Sequence, residues 1–368
     1  MANGMTGGMT DRWAAYLAPS AADTVFSEVL RLGRPTFGRL RATILRVVER
    51  LKAETVACLG AGALNDIPFA ELVRSGAVVH LVDWVPQLVE FGVDHAIIQP
   101  GAHGKAPACA FCGLEPERAR AYCRAFRPSP RPQADVCAHF RPLSGPNPRC
   151  AAYQPGLEPH VHCQDVTAGY ASGFADQMAP LFADLESWRQ ALRRALDLAR
   201  KPHRPPVPLA IADTSVDLVI SSMLVSQFEH EPYGYFSKRV AELLGPPQAR
   251  EEKRLASQLD RLRSTLLLAA LERHCDEIAR ILTPTGACFM CFETFHYDPR
   301  QDRQPGHWFL VREMHQAIDV LSRHFRFDFD LLAAKDYMIR YQPGTRKSIV
   351  SCFVLRPSGR QNVAPASS

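Results

Sequence analysis

The sequence predicts an α/β protein built on a doubly wound, mostly parallel sheet, and three observations predict it. A β-turn-α-β unit opens the regular part of the chain at 54–84. Short apolar runs then alternate with long amphipathic stretches. The chain closes on two strands near enough in sequence to pair antiparallel.

Taken in order, residues 1–10 read as a frayed end and residues 11–52 carry helical spacing, so 1–52 is an N-terminal helical extension. Its clearest part is "RLRATILRVVERLK", where Leu40, Ile44, Val47, Val48 and Leu51 share one face. "TVACLG" (55–60) is an apolar strand. It ends in a glycine turn, and a helix follows from about Pro68 to Ser75, with proline in the first turn where a missing N–H costs nothing. "AVVHLVDW" (77–84) is the second strand and ends in an acid. A short helix (86–97) follows.

Residues 101–159 break the pattern: they are rich in Pro, Arg and Cys and lack a sustained apolar period. Regular texture resumes with a strand, "HVHCQDV" (160–166), and a long helix over about 173–200. A proline-broken linker, "KPHRPPVP", then leads to the strand "VDLVISS" (216–222). A helical region over about 235–282 precedes the central strand "ACFMCFET" (287–294). "HWFLVREMHQAIDVLSRHF" is an amphipathic helix. "RFDFDLL" (326–332) and "SIVSCFVLRP" (348–357) form the closing hairpin, and residues 359–368 read as a disordered tail. The α/β domain is thus expected over 53–100 and 160–358, interrupted by an insertion at 101–159.

Composition excludes several classes. At 368 residues the chain can bury a full core, and 46% hydrophobic with 22% charged residues argues against wholesale disorder. The net charge of +5 permits an anionic partner without arguing for one. "MANGMTGGMTDRW" has neither the basic nor the apolar region of a signal peptide, and no apolar run approaches the roughly 18 residues of a membrane span. The expectation is a cytoplasmic protein, in whose reducing surroundings the 11 cysteines are core residues or metal ligands before they are disulfides.

The turn "LGAGALND" limits the ligand. A dinucleotide fingerprint wants a third glycine where Asn65 stands, and a phosphate-binding loop of the Walker type needs a Gly-Lys pair that is absent. Asp83, at the end of the second strand, suits a pair of ribose hydroxyls.

The succession "VACLGAGALND", "VHLVDW", "VHCQDVT", "SVDLVISSMLVSQF", "EIARILTPTGACFMCFET" and a terminal strand pair resembles the class I S-adenosylmethionine-dependent methyltransferases. The resemblance spans about 54–357 apart from the Cys-rich segment. It implies a seven-stranded sheet of order 3-2-1-4-5-7-6 with strand 7 antiparallel, and S-adenosylmethionine as cofactor. Gly60, Ala61 and Gly62 would line its methionine part and Asp83 would hold the ribose. Trp84 or Val85 would pack on the adenine, and Asp165 would accept from the adenine amine. Val166 and Ser222 complete the implied cofactor set, and "TPTG" at 283–286 stands where the family has a Pro-Gly-Gly-like turn.

Two departures matter. The acid often found near the first strand is Glu54 at best. Ser221-Ser222-Met223 replaces the Asn-Pro-Pro-aromatic loop, which disfavours methylation of base amines or glutamine side chains.

The interval from Asp83 to Asp165 is far longer than the roughly 30 residues of one βαβ unit. The surplus holds Cys109, Cys112, Cys123, Cys137 and Cys150, with Cys163 just beyond on the third strand. So small a segment with few large apolar residues needs a staple. "C-x-x-C-G" turns two thiolates toward one ion, which makes Cys109, Cys112, Cys123 and Cys137 the candidate ligands of a structural zinc, with His139 and Cys150 as alternatives. An iron–sulfur cluster would use the same thiolates, and unmetallated cysteines are the third reading. Cys58, Cys288 and Cys291 lie in apolar strands as core residues. The insertion is also basic (Lys105, Arg118, Arg120, Arg124, Arg127, Arg131, Arg141, Arg149), without the aromatic stripe that stacks bases.

A methyltransferase acting on a small molecule or peptide is therefore the leading expectation. RNA as acceptor, guided by the insertion, is one alternative, and a non-catalytic metal-responsive binding protein on the same scaffold is another. Should the acceptor need a base, the candidates follow the fourth and fifth strands: Glu229, His230, Glu293, His296 and Tyr297, with the histidines titrating in the useful range.

Overall fold

The computed structural model describes residues 37–85, 159–182, 184–201, 205–297, 313–332, 335–340 and 347–358, with short pieces at 88–89, 92–93, 98–99, 108–109 and 309–310. The chain divides into two compact units, Met1–Cys163 and Gln164–Ser368.

In the first unit, α1 (Gly38–Leu51) buries Leu40, Thr43, Ile44, Val47 and Val48. These positions recur at the helical spacing, so one face is apolar and is driven inward. Strand β1 (Thr55–Leu59) is buried at four of its five positions. Helix α2 (Phe69–Ser75) starts beside Pro68 and stops at Gly76 in the left-handed conformation. Strand β2 (Val78–Asp83) runs parallel to β1, with Thr55 opposite Val78 and Leu59 opposite Val82.

The two-residue strands β3 (Ile98–Gln99) and β4 (Ala108–Cys109) pair antiparallel. Strand β5 (His160–Cys163) runs parallel to β2, placing Cys163 opposite Asp83. Its outward-facing, largely exposed residues contrast with β1, as expected of an edge against a strand covered on both faces.

In the second unit the expected helix over 173–200 is two, α3 (Tyr170–Leu181) and α4 (Trp188–Ala199). Pro180 sits in the last turn of α3, and the Ser187 side chain accepts from the Gln190 amide to start α4 anew. Strand β6 (Val216–Ser222) is followed by α5 (His230–Leu244) and α6 (Ala249–Ile281). The single helical region expected over 235–282 breaks because Gly245 turns left-handed and Pro246 and Pro247 carry no N–H to continue it.

Strand β7 (Leu282–Tyr297) is longer than expected at both ends. "TPTG" forms an excursion within it, between the β6 pairings of Leu282 and Ala287. Residues Phe309–Leu310 form β8 against β7, so the predicted amphipathic helix shortens to α7 (Met314–His324). The closing hairpin is made by β10 (Lys335–Arg340) and β11 (Lys347–Pro357), not by 326–332. Of that stretch only β9 (Phe325–Phe327) includes strand residues, and Asp328 begins a turn with its side chain accepting from Leu331 N–H. Helices α3, α4, α5 and the first half of α6 share an apolar core of Phe174, Met178, Trp188, Leu192, Phe236, Val240, Leu262 and Leu266.

The sheet order is β5-β2-β1-β6-β7-β11-β10, with β8 and β9 as short additions to β7 and β11. Counted along the chain, the seven main strands run 3-2-1-4-5-7-6. The seventh, β11, is antiparallel to both neighbours, which is the order of the class I methyltransferase fold.

Gly92 follows β2 and faces the glycine turn after β1. A β-carbon on it would stand 2.6 Å from the Ala63 carbonyl carbon and 2.7 Å from its oxygen. Gly92→Ala is therefore expected to cost about 1–3 kcal/mol, since the obstruction is backbone that cannot rotate away. A urea unfolding midpoint equal to that of the parent protein would contradict this packing.

Candidate functional site

In the first unit the site is the turn after β1 together with the end of β2. Gly60 and Gly62 are left-handed, with φ of 69° and 49°, a conformation open to glycine without a side-chain clash. The amides of Gly60 and Ala61 both donate to the Val82 carbonyl, at 2.8 and 3.1 Å. The Gly62 amide donates to Asp83 Oδ2 at 2.8 Å, and the Val85 amide to Asp83 Oδ1 at 2.9 Å.

These three amides hold the turn to β2. Burial pushes the Asp83 carboxyl above its ordinary value, opposed by the bonds from Val85, Gly62 and Trp84. With three backbone donors on its four acceptor positions, the carboxylate keeps one for a hydroxyl. Trp84 is half-buried, Val85 is buried, and the Trp84 carbonyl lies 3.6 Å from Cys163 Sγ. Asn65, where a dinucleotide fingerprint has its third glycine, keeps a buried Oδ1 with no hydrogen-bond partner among the described residues.

In the second unit the loop after β5 is built on Asp165. Its Oδ1 accepts from the Thr167 amide at 2.8 Å and the Thr167 hydroxyl at 2.5 Å. Its Oδ2 accepts from the Ser172 amide at 3.1 Å and hydroxyl at 3.0 Å. The carboxylate implied to meet an adenine amine accepts from its own loop and from the start of α3, with the single Ser172 hydroxyl proton shared between Asp165 Oδ2 and the Gly169 carbonyl at 3.2 Å.

Val166 is held differently. Its carbonyl lies 2.8 Å from His274 Nδ1, and His274 Nε2 lies 2.9 Å from Ser221 Oγ. His274 and Ser221 are wholly buried, and the Phe228 ring meets the imidazole edge-on at 5.0 Å. Sequence reasoning missed His274. The signal was its place on the buried stripe Leu267, Leu271, His274, Ile278, Ile281 of α6, where a polar side chain must find partners.

Ser222 is buried with its Oγ 3.2 Å from Cys291 Sγ, and the next residue, Met223, is left-handed with its amide on the Cys291 carbonyl. Glu229 precedes α5, and burial raises its carboxyl, with Arg263 opposing and Glu313 and Asp260 adding to the rise. His230, the first residue of α5, is exposed, with Nδ1 3.9 Å from Glu229 Oε1. Glu293 is buried within β7. His296 and Tyr297 lie in the same strand opposite Ser348 and Lys347, and their side chains fall outside the described residues.

Cys58, Cys288 and Cys291 are buried core thiols as expected, joined by Cys275 and Cys352. Of the candidate zinc ligands, Cys112, Cys123 and Cys137 lie outside the described residues, as do His139 and Cys150. Cys109 is described only through the backbone of β4. Among the described residues no group of three metal-binding side chains is arranged to hold an ion. One histidine cluster does occur there: His80 Nδ1 stands 3.1 Å from His162 Nε2, and the His160 ring lies 4.8 Å from that of His80. Desolvation, with its two neighbours adding, brings His80 down to about 4. No helix among the described residues is long and apolar enough to cross a membrane.

Solved structures align with most of the chain at low identity. A methyltransferase dependent on S-adenosylmethionine from Methanosarcina mazei is 9% identical over 82% of this chain and 92% of its own, with a TM-score of 0.34. One from Aquifex aeolicus is 10% identical over 89% and 97%, with a TM-score of 0.32. The 1,6-didemethyltoxoflavin-N1-methyltransferase of Burkholderia thailandensis, solved with 1,6-didemethyltoxoflavin and S-adenosylhomocysteine, is 12% identical over 94% and 90%, with a TM-score of 0.32. No family model and no curated protein matches the sequence.

Burial holds the His274 imidazole down to about 4 from an ordinary 6.5, against its Val166 bond and the Glu277 charge. Between those values the unfolded chain binds a proton that the folded chain does not, so stability present above pH 6.5 is lost as the pH falls toward 4. At ~1.4 kcal/mol per pKa unit the loss is about 3 kcal/mol. Urea unfolding from pH 7 to pH 4 should show this decline in the parent protein and a shallower one in His274→Asn.

Proposed function

We propose that the protein moves the methyl group of S-adenosylmethionine to a small-molecule or peptide acceptor by in-line displacement. The observation that carries the reading is Asp83. It is an acid that closes β2 beneath a left-handed glycine turn, in a sheet of order 3-2-1-4-5-7-6 with its last strand reversed. A fold alone does not name a function, so the reading rests on this residue and its neighbours.

The residues fit the cofactor. Asp83 keeps an acceptor position for a ribose hydroxyl, and Gly62 has no side chain to obstruct what lies on the turn. The Asn65 Oδ1, without a hydrogen-bond partner among the described residues, is an acceptor suited to the ammonium of a methionine moiety. S-adenosylmethionine supplies an activated methyl group on a sulfonium, so the chain's own work is to orient and to exclude water. Positioning of that kind supplies roughly 7–11 kcal/mol.

Trp84 and Val85 form the apolar side of the adenine position, with Val166 and Ser222 lining the cofactor. Asp165 serves that position at one remove, by shaping the loop it caps. A protonated acceptor needs a base. Glu229 suits that role best because burial has already raised it, with exposed His230 beside it as the alternative. Glu293, which is buried, and His296 are the remaining candidates.

Calorimetric titration tests the reading. S-adenosylmethionine is expected to bind with micromolar affinity, and NAD and NADH not to bind. Asp83→Ala should weaken that binding at least tenfold. It should also cost about 1–3 kcal/mol of stability for each amide left unpaired, at Gly62 and Val85. A folded Asp83→Ala protein with unchanged affinity, or a folded parent that ignores S-adenosylmethionine, would overturn the assignment.

A further inference from the structure

We infer that His274 is a positioning residue for the adenine side of the cofactor, acting through the Val166 carbonyl; this rests on the methyltransferase reading. The chemistry of its two partners dictates its tautomer. A backbone carbonyl can only accept, so Nδ1 must carry the proton that reaches Val166 at 2.8 Å. Nε2 is then bare and takes the hydrogen of the Ser221 hydroxyl at 2.9 Å. Serine and imidazole at this separation have the form of a nucleophile and its base. Both are wholly buried, so no substrate reaches them and the pair is a tie.

The tie joins three elements that are distant in sequence: the loop after β5, the carboxyl end of β6, and α6. The other bonds of the loop differ in kind. Asp165 fastens residues 165–172 to one another, and Gln164 and Ala168 bond to the segment 207–210. Val166 is the residue anchored from α6. It and Ser222, next to Ser221, are the positions of the second unit that would line the cofactor. An imidazole buried on an otherwise apolar stripe is tolerated because both nitrogens are paired. Leucine in its place would satisfy the stripe and release Val166. The residue therefore earns its place through the two bonds and not through packing.

The test compares His274→Leu, His274→Asn and His274→Gln with the parent, using S-adenosylmethionine and adenosine as probes. It also follows hydrogen exchange of the amides at 165–172 without ligand. An asparagine amide takes the place of Nδ1 and keeps the bond to Val166, whereas a glutamine amide takes the place of Nε2 and does not. The leucine and glutamine proteins are expected to bind both probes about tenfold or more weakly and to exchange faster at 165–172. The asparagine protein should stay within about twofold of the parent. Equal affinity of all folded variants, or of the asparagine and glutamine forms should leucine fail to fold, would overturn the inference. If the parent itself binds no S-adenosylmethionine, the functional reading fails. Exchange at 165–172 then still decides the tie: faster in the glutamine than in the asparagine form supports it, and equal rates overturn it.

Discussion

A half-buried carboxylate that accepts backbone amides at both of its oxygens is the constraint on which the candidate site depends. Asp83 stands at the last position of β2, and it accepts amides of the turn after β1 and of the residue two beyond itself. Burying a charge without partners costs several kcal/mol, and here the partners are main-chain groups that would otherwise be unpaired themselves. Each side thus removes the other's penalty. The turn takes one shape, in which Gly60 and Ala61 close on the Val82 carbonyl and the left-handed glycines keep side chains out of the way.

The second unit uses the same means in different chemistry. Asp165 collects four donors and fixes the start of α3. His274 reaches two strand ends from α6. Glu277, one turn further along α6, accepts the Leu209 amide and the Arg280 guanidinium, and Arg280 in turn donates to the carbonyls of Leu209 and Ile211. Loops that follow strands carry backbone groups that no ladder satisfies. Here buried side chains of α6 supply what the ladder does not. That helix therefore acts as a spine for the connections as well as a cover for the sheet.

The main strands were legible in the sequence because apolar runs of five to seven residues, such as Thr55–Leu59 and Val216–Ser222, have no other low-energy place than a covered sheet, whereas their order followed only from the family resemblance. The glycine turn was legible because two glycines and an acid at strand ends carry their conformational meaning locally. Helix boundaries were less so. The breaks at Ser187 and at Gly245 were written in the chain, but a long amphipathic period on both sides masks a single cap. Strand β10 escaped notice because the aromatic-rich 326–332 has the stronger strand pattern. That stretch turns away at Asp328, whose carboxylate is engaged by Leu331 N–H and by Arg356 from β11.

By itself the sequence determined that this is a doubly wound α/β chain whose first turn is glycine-bearing and whose second strand ends in an acid. Those are properties of residues close together, set by φ preference and by the period of apolar side chains. Only the tertiary structure decided how the polar groups are shared. Asp165 carried no sign in the sequence that Thr167 and Ser172 would bond to its carboxylate. His274 was one more helical residue until Val166 and Ser221 stood on either side of it, 108 and 53 positions away. Hydrogen-bond satisfaction in a buried site is a property of the assembled neighbours, and no local pattern encodes which of them will arrive.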